Sequence, residues 1–136
     1  MKLFLDTNVL LDYAVNRNDN HEVLQSVIKS CIDRKNEGFI TSHSITDFFY
    51  IARNYFTNNE RKEFTEFIVN TFTILVEDKE AFPNCLKEEH FEDLEDQLQM
   101  ECAATAEVDY IITENKKDFE FAKVPVISGR EFLMMR

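Results

Sequence analysis

The sequence predicts an α/β fold, a single three-layer α/β/α domain with a central, mainly parallel sheet. Three observations lead to that prediction. Short apolar segments alternate along the chain with segments whose apolar residues have helical spacing. Only two Gly and two Pro occur among the 136 residues, which favours regular elements with short connections. Strands that alternate with helices require crossover connections, and such connections pair strands in parallel. We expect one domain over residues 1–136.

The first half of the chain is predicted to hold two strands and four helices. A buried strand covers the residues KLFL and ends at Asp6, where a helix follows with Thr7 or Asn8 as its N-cap. In the later helical segments, apolar residues recur three and four positions apart. The predicted elements after the first strand are a helix at 8–17, a helix at 21–36 that Gly38 ends, a strand at 38–43, and helices at 44–56 and 61–72.

The second half is predicted to add three strands and two helices. Leu94, Leu98 and Cys102 recur every four residues, which indicates a helix. Pro83 leaves the stretch after Glu80 open, because proline suits a first helical turn but breaks later ones. The predicted elements are a strand at 72–78, a helix at 94–106, strands at 109–115 and 124–128, and a terminal helix at 129–135.

Charge and composition restrict the classes of function. The formal net charge is −11 at pH 7, whereas a protein held on nucleic acid mainly by phosphate neutralisation needs a basic surface. Any nucleic-acid partner must therefore bind locally. The three cysteines form no Cys-x-x-Cys pair, which argues against a disulfide framework and a cysteine-rich zinc site. Acidic residues interrupt the apolar start, and no apolar run reaches the length of a membrane span. We expect a cytoplasmic protein with no membrane partner.

Acidic and amide side chains follow several of the predicted strands. Ligands of parallel α/β sheets bind outside the carboxyl ends of the strands, so these side chains are expected on one rim. Crowded carboxylates repel, by about 4 kcal/mol for unit charges about 4 Å apart at an effective dielectric constant of about 20. A hard divalent cation such as Mg²⁺ or Mn²⁺ relieves that repulsion and favours phosphate-ester chemistry. The residues expected there are Asp6, Asp47, Asp96, Asn115 and Asp118.

Two of these acids also have a structural interpretation. Asp47 lies three residues after Ser44, and Asp96 lies three residues after Asp93, which is the spacing of a capping box. Acids in a first helical turn are stabilised by the helix dipole, so capping is the preferred interpretation of Asp47 taken alone. The other acids nearby are expected to be solvated or to cap helices: Asp12, Glu92, Asp93 and Glu95.

Five segments together resemble the successive blocks of a PIN domain. They are LDTNVLLD at 5–12, SITDFFYIAR at 44–53, DLEDQLQMECA at 93–103, DYIITENKKDF at 109–119 and VPVISGREFL at 124–133. The resemblance implies a metal-dependent ribonuclease like the VapC-type toxins of bacterial toxin-antitoxin pairs. It assigns the family's acidic positions to Asp6, Asp47 and Asp96, with a fourth at Asn115 or Asp118. Many members carry Glu at the second position and an acid at the position of Asn115.

The resemblance also implies a mechanism and partners. Mg²⁺ or Mn²⁺ bound by Asp6, Asp47 and Asp96, with Asp118 as a further ligand, would activate water for hydrolysis of an RNA phosphodiester. The groups expected to orient carboxylates, bind the scissile phosphate or guide the RNA backbone are Asn8, Thr113, Asn115, Lys116 and Lys117. A homodimer and a small antitoxin protein are further implications of the family.

Other functions remain open on the sequence alone. An inactive PIN-like interaction module agrees with the acidic charge and with Asn115 at the fourth position. A haloacid-dehalogenase-like phosphotransfer enzyme also begins with an apolar strand and an Asp, but it expects a second Asp where this chain has Asn8. A response-regulator receiver needs its phosphate acceptor after the third strand, where Glu77 and Asp78 do not continue in a receiver-like pattern.

Overall fold

Five parallel strands form the centre of the chain in the order β3-β2-β1-β4-β5. The structure is a computed structural model that describes residues 1–16 and 19–135. The first helix ends at Ala14, with Val15 as its C-cap, before the predicted end at residue 17, which itself lies outside the described residues. The strands are β1 (Lys2–Leu5), β2 (Glu37–Thr41), β3 (Thr73–Leu75), β4 (Tyr110–Ile112) and β5 (Val126–Ile127). This order differs from the 2-1-3-4-5 arrangement of receiver domains.

Helices cover both faces of the sheet, as the three-layer prediction requires. They are α1 (Thr7–Ala14), α2 (His21–Ile32), α3 (Ser42–Ile51), α4 (Asn58–Thr71), α5 (Ala81–Leu86), α6 (Leu94–Thr105) and α7 (Gly129–Met134). Short 3₁₀ turns lie at Ala52–Asn54 and Lys116–Phe119. Pro83 is the third residue of α5, where a first helical turn tolerates proline. None of the helices in the described ranges combines the length and apolar character that a bilayer span demands.

Alternating side chains of β1 divide the core between the two faces. Leu3 and Leu5 pack with buried residues of α1, α2, α3, α4 and α7. Phe4 points to the opposite face, because successive side chains of a strand alternate, and it packs with Met100 and Ala103 of α6. The three strand residues are fully buried. The central strand is thus fixed from both sides, and its carboxyl end is held in place.

Helix α2 ends four residues earlier than the sequence predicts. Its last residue is Ile32, and Gly38 lies inside β2 and does not end the helix. The requirement for glycine there comes from a distant contact, because a Cβ at position 38 would lie 2.5 Å from Cδ1 of Phe72. Phe72 follows α4 and is itself buried. Gly38 therefore allows the end of α4 to pack closely on β2.

Helix α3 begins two residues earlier than predicted, which changes the position of Asp47. The N-cap is Thr41, the last residue of β2, whose Oγ1 accepts a hydrogen bond from the backbone N–H of Ser44 at 3.3 Å. The prediction that Ser44 caps the helix and that Asp47 lies in the first turn is therefore wrong. Asp47 is the sixth residue of α3 and lies in its second turn.

Candidate active site

Asp6 is the most buried of the predicted site acids. It directly follows β1, serves as the N-cap residue of α1 without capping through its side chain, and is 2% exposed. Thr113 Oγ1 donates to Oδ2 over 2.9 Å, and Gln99 Nε2 donates to Oδ1 over 3.3 Å. Burial raises the pKa of Asp6, while these two bonds and one from the backbone N–H of Asn8 partly oppose the rise. The result is a buried carboxyl group whose negative charge is incompletely compensated.

Gln99 joins α6 to the start of α1. Its side chain is fully buried, and its Oε1 accepts a hydrogen bond from the backbone N–H of Thr7 at 3.2 Å while its Nε2 donates to Asp6. An amide suits this position because one end must accept and the other must donate. Gln99 therefore fixes Asp6 relative to α6, the helix that carries Asp96.

Asp96 lies in the first turn of α6, on the same side of the molecule as Asp6. Oδ1 of the N-cap Asp93 accepts a hydrogen bond from the backbone N–H of Asp96 at 3.0 Å, so the predicted entry through Asp93 is observed. Partial burial, followed by the negative charges of Asp93, Asp118 and Asp6, raises the pKa of Asp96 to about 7. Asp96 and Asp118 line one cavity of about 250 Å³. We call Asp6, Asp96 and Asp118 the acidic cluster.

Asp47 pairs with Glu95 beside the acidic cluster. The prediction that Glu95 is a solvated or capping residue is wrong, because Glu95 is partly buried and hydrogen-bonded to Asp47. Burial raises the pKa of Glu95 to about 7, with further contributions from the charge of Asp47 and from their hydrogen bond. His43 and a hydrogen bond from Thr7 oppose this rise. The second turn of α3 thus directs Asp47 to a neighbouring carboxyl group.

A chain of hydroxyl groups connects this carboxyl pair to the strand ends. Oγ1 of Thr7 lies 2.6 Å from Oγ of Ser44, which lies 2.8 Å from Oγ1 of Thr41. All three side chains are buried. Oγ1 of Thr41 also contacts Nε2 of His43, whose Nδ1 hydrogen-bonds to Glu77. These contacts hold the start of α1 against the start of α3.

The remaining predicted residues take different positions. Asn8 has an exposed side chain and reaches Asp6 through its backbone N–H. The side chain of Asn115 is exposed, and its backbone N–H donates to Oγ1 of Thr113 at 3.0 Å. Lys116 forms an ion pair with Glu131 at 2.8 Å, whereas Lys117 lines the cavity next to Asp96.

Asp12 differs from its predicted environment. The sequence predicts a solvated helix residue, but Asp12 is only 6% exposed on α1. Its backbone carbonyl lies 3.1 Å from Nδ1 of His21, the first residue of α2. The prediction of a solvated Asp12 is wrong because α2 packs over that part of α1.

The donor chemistry of the acidic cluster fits a hard divalent cation. Carboxylate oxygens are the preferred ligands of Mg²⁺ and Mn²⁺, and burial raises the pKa values of Asp6 and Asp96, so a bound cation would stabilise their charged forms. In residues 1–16 and 19–135, no three His, Cys, Asp or Glu side chains are placed to hold an ion jointly. Magnesium is commonly held by one or two carboxylates together with substrate phosphates, so a smaller ligand set suffices.

Two residues of the site were missed from the sequence, Gln99 and the paired Glu95. A signal for Gln99 existed, because it lies three residues after Asp96 and so shares its helix face. No sequence signal indicated Glu95, whose partner Asp47 lies on a different helix.

Comparison with known proteins identifies the family. The sequence model described as PIN domain matches residues 2–117. No curated protein sequence matches the chain significantly. Solved structures of similar fold include three that are described as VapBC, toxin-antitoxin or toxin structures. A VapBC2 complex from Rickettsia felis bound to a promoter DNA fragment has a TM-score of 0.69 at 13% identity, with 94% of this chain and 98% of that chain covered.

The other two structures are described as a toxin-antitoxin complex and as a toxin. A toxin-antitoxin complex from Klebsiella pneumoniae has a TM-score of 0.69 at 21% identity, covering 93% of this chain and 97% of that one. VapC20 of Mycobacterium tuberculosis, described as a Sarcin-Ricin loop cleaving toxin, has a TM-score of 0.65 at 7% identity, covering 80% and 86%. These likenesses show the fold, and the match of the family model over most of the sequence shows the family. The chain belongs to the PIN-domain family.

Proposed function

We propose that the chain is a Mg²⁺- or Mn²⁺-dependent endoribonuclease that hydrolyses RNA phosphodiester bonds. The observation that carries this proposal is the acidic cluster at the carboxyl edge of a parallel sheet: Asp6 is buried, and burial, followed by the charges of Asp93, Asp118 and Asp6, raises the pKa of Asp96. Structural and solvated acids do not require this arrangement, because mutual repulsion destabilises it. A nuclease that recruits a cation gains from it. Membership in the PIN-domain family supports the same proposal.

Asp6 and Asp96 would hold the ion, with Asp118 and Asp47 as candidate further ligands. When bound, the ion supplies Lewis-acid chemistry, which polarises the phosphodiester and activates water. Thr113 and Gln99 keep one hydrogen bond on each oxygen of Asp6, so the carboxylate keeps one orientation. Lys117, on the cavity wall, would bind a backbone phosphate.

Variants of Asp47 and Glu95 show which of the two carboxylates is a metal ligand. If Asp47 is the ligand, Asp47→Asn will weaken RNA cleavage by ten-fold or more, because loss of a group that only orients a metal ligand already costs about 10- to 100-fold. Glu95→Gln preserves a hydrogen-bonding partner for Asp47 and is expected to retain cleavage. Loss of cleavage in Glu95→Gln with full activity in Asp47→Asn would assign the ligand role to Glu95.

We also propose that the chain is the toxin of a toxin-antitoxin pair and acts in the cytoplasm as a homodimer. The solved structures with this fold include complexes described as VapBC and toxin-antitoxin, which supports a small antitoxin protein as the partner. Expression in a bacterial host tests this. Growth arrest by the wild type, and none by Asp6→Asn, is the expected result, and arrest by both would contradict a toxic nuclease activity.

An inactive interaction module is the second candidate. Two observations favour it, the exposed Asn115 at the family's fourth acidic position and the lack, among described side chains, of a ready set of three ion ligands. The haloacid-dehalogenase and receiver interpretations do not survive the family assignment.

A cleavage assay distinguishes the two remaining candidates. Wild-type protein is incubated with tRNA, ribosomal RNA and messenger RNA in Mg²⁺, in Mn²⁺ and in chelator. We expect discrete cleavage in either metal and none in chelator. Cleavage that persists in chelator would overturn the metal role, and intact RNA under every condition would favour the inactive module.

A further inference from the structure

Two aromatic side chains lie parallel at the cavity that Asp96 and Asp118 line. The rings of His90 and Phe121 are stacked, with centroids 3.8 Å apart and planes at 9°. Both residues line the cavity of about 250 Å³ together with Asp96, Asp118 and Lys117. We call His90 and Phe121 the aromatic pair. Its rings, the acids and a lysine therefore share one surface.

The aromatic pair is exposed although it is well anchored. Phe121 is 55% exposed, and His90 is exposed as well. His90 lies in the connection after α5, and Phe121 follows the 3₁₀ turn that ends at the buried Phe119. A second contact joins the same two connections, because Lys123 Nζ lies 3.7 Å from Glu88 Oε1. The core anchors the backbone next to Phe121. A ligand that stacks on the aromatic pair therefore costs the protein little conformational entropy.

The surrounding charge restricts what such a surface binds. Acids dominate the cavity wall, and they repel the phosphates of a nucleic acid. The face of a nucleobase carries no net charge and stacks on aromatic rings regardless of its sequence. Stacking is therefore the contact with RNA that an acidic surface disturbs least, and Lys117 lies on the same wall to meet a phosphate.

We propose that the aromatic pair is a stacking platform for an unpaired nucleobase of the RNA substrate, next to the scissile phosphate. The inference rests on the proposed ribonuclease function and adds a binding site to it, the two residues that would hold a base beside the cleavage site. A base within a duplex is already stacked on its neighbours, so it cannot lie against Phe121 unless it leaves the helix.

The chain contains no tryptophan, so a single Trp introduced at position 121 gives an unambiguous optical probe. The binding experiment uses the Asp6→Asn/Phe121→Trp variant with Mg²⁺ and a single-stranded RNA decamer. Two controls are matched: a decamer that lacks its bases, and a Trp placed instead at Phe82, which is 41% exposed on α5 and does not line this cavity. We expect the intact decamer to quench the fluorescence of the Phe121→Trp variant saturably, and neither control to show quenching. Equal quenching by the abasic decamer, or no quenching at all, would overturn the platform.

Kinetics with the active protein give a second, independent test. Phe121→Ala is expected to raise KM for single-stranded RNA by about 5- to 150-fold, the range that loss of one base–aromatic stack produces. kcat should be little changed, Phe121→Tyr should restore KM, and Phe82→Ala should match the wild type. Unchanged KM in Phe121→Ala would overturn the platform while leaving the nuclease intact. Quenching in the Phe121→Trp variant without cleavage by the wild type would instead refute the nuclease and retain the platform as an RNA-binding site.

Discussion

Thr113 donates a hydrogen bond to Asp6 over 2.9 Å between Thr113 Oγ1 and Asp6 Oδ2, although the residues are 107 positions apart in sequence. Asp6 directly follows β1 and Thr113 directly follows β4, and these strands are neighbours in the sheet. The parallel register that pairs Leu5 with Ile112 brings the two next residues together. The sheet therefore places a donor against the carboxylate on which the proposed chemistry depends.

Replacing Thr113 with Val should weaken metal binding with little change of shape. The variant removes the hydroxyl that stabilises the charged form of Asp6, so we expect Mn²⁺ affinity to fall by about 10- to 100-fold. Isothermal titration calorimetry measures this. Thr105→Val, at an exposed position of α6, is the matched control. Equal Mn²⁺ affinity in Thr113→Val and the control would show that Thr113 does not orient a metal ligand.

The thermal response to metal should depend on Asp6. A ligand that binds only the folded state stabilises it, and loss of a metal ligand reduces that effect. We expect Mg²⁺ or Mn²⁺ to raise the Tm of the wild type clearly more than the Tm of Asp6→Asn, measured by differential scanning fluorimetry. The same shift in both proteins would contradict a metal site at Asp6.

Gln99 should stabilise the metal-free fold through its two opposed hydrogen bonds. Gln99→Met keeps a similar volume but leaves the buried N–H of Thr7 without its acceptor, which costs about 1–3 kcal/mol of unfolding free energy. Urea unfolding in chelator measures the change. Gln25→Met on the exposed face of α2 controls for the substitution itself and should stay within about 0.5 kcal/mol of the wild type. An equally small loss of unfolding free energy in Gln99→Met would show that the two hydrogen bonds of Gln99 do not stabilise the fold.

Metal-free stability should fall as the pH rises. The pKa of Asp96 is raised to about 7 in the folded chain from 3.8, so the folded state holds a proton that the unfolded state releases. Its stabilising contribution is complete below the unfolded pKa and is lost as the pH rises through about 7. Tm in chelator, measured from pH 4 to pH 8, should therefore decline, and Asp96→Asn should flatten the decline.

Two comparisons test that assignment. Glu63→Gln, at an exposed position of α4, removes the same charge and should leave the slope as in the wild type. Metal requires deprotonated carboxylates, so the gain in Tm from Mg²⁺ should grow over the same pH range. An identical slope in Asp96→Asn and Glu63→Gln would mean that net charge, and not Asp96, sets the pH dependence.

Much of the architecture was accessible from periodicity alone. The alternation of apolar and helical segments predicted the three layers and the parallel sheet, because both signals arise from local side-chain patterns. The first residue of α3 could not be predicted from periodicity. Thr41 and Ser44 both have capping side chains, and the choice of Thr41 depends on where β2 ends, which its pairing with Leu75 of β3 determines.

The candidate site also contains residues that the sequence indicated and contacts that it did not. Carboxylates after parallel strands were predictable from topology, which indicated Asp6, and the capping spacing of Asp93 and Asp96 placed Asp96 in the first turn of a helix. The partners of those carboxylates were not predictable, because Gln99 bonds to a residue 93 positions away and Glu95 meets Asp47 across two helices. The burial of Asp12 likewise depends on the packing of α2 on α1. Contacts between such distant residues form only when the chain folds, and they produce no periodic pattern in the sequence.

The most direct test of the central claim is the position of bound Mn²⁺. A crystal grown with Mn²⁺, and recorded at a wavelength where manganese scatters anomalously, locates the ion without reference to activity. We predict an anomalous peak within coordination distance of carboxylate oxygens of both Asp6 and Asp96. A fully occupied ion bound elsewhere, or no peak beside Asp6 at saturating Mn²⁺, would contradict it.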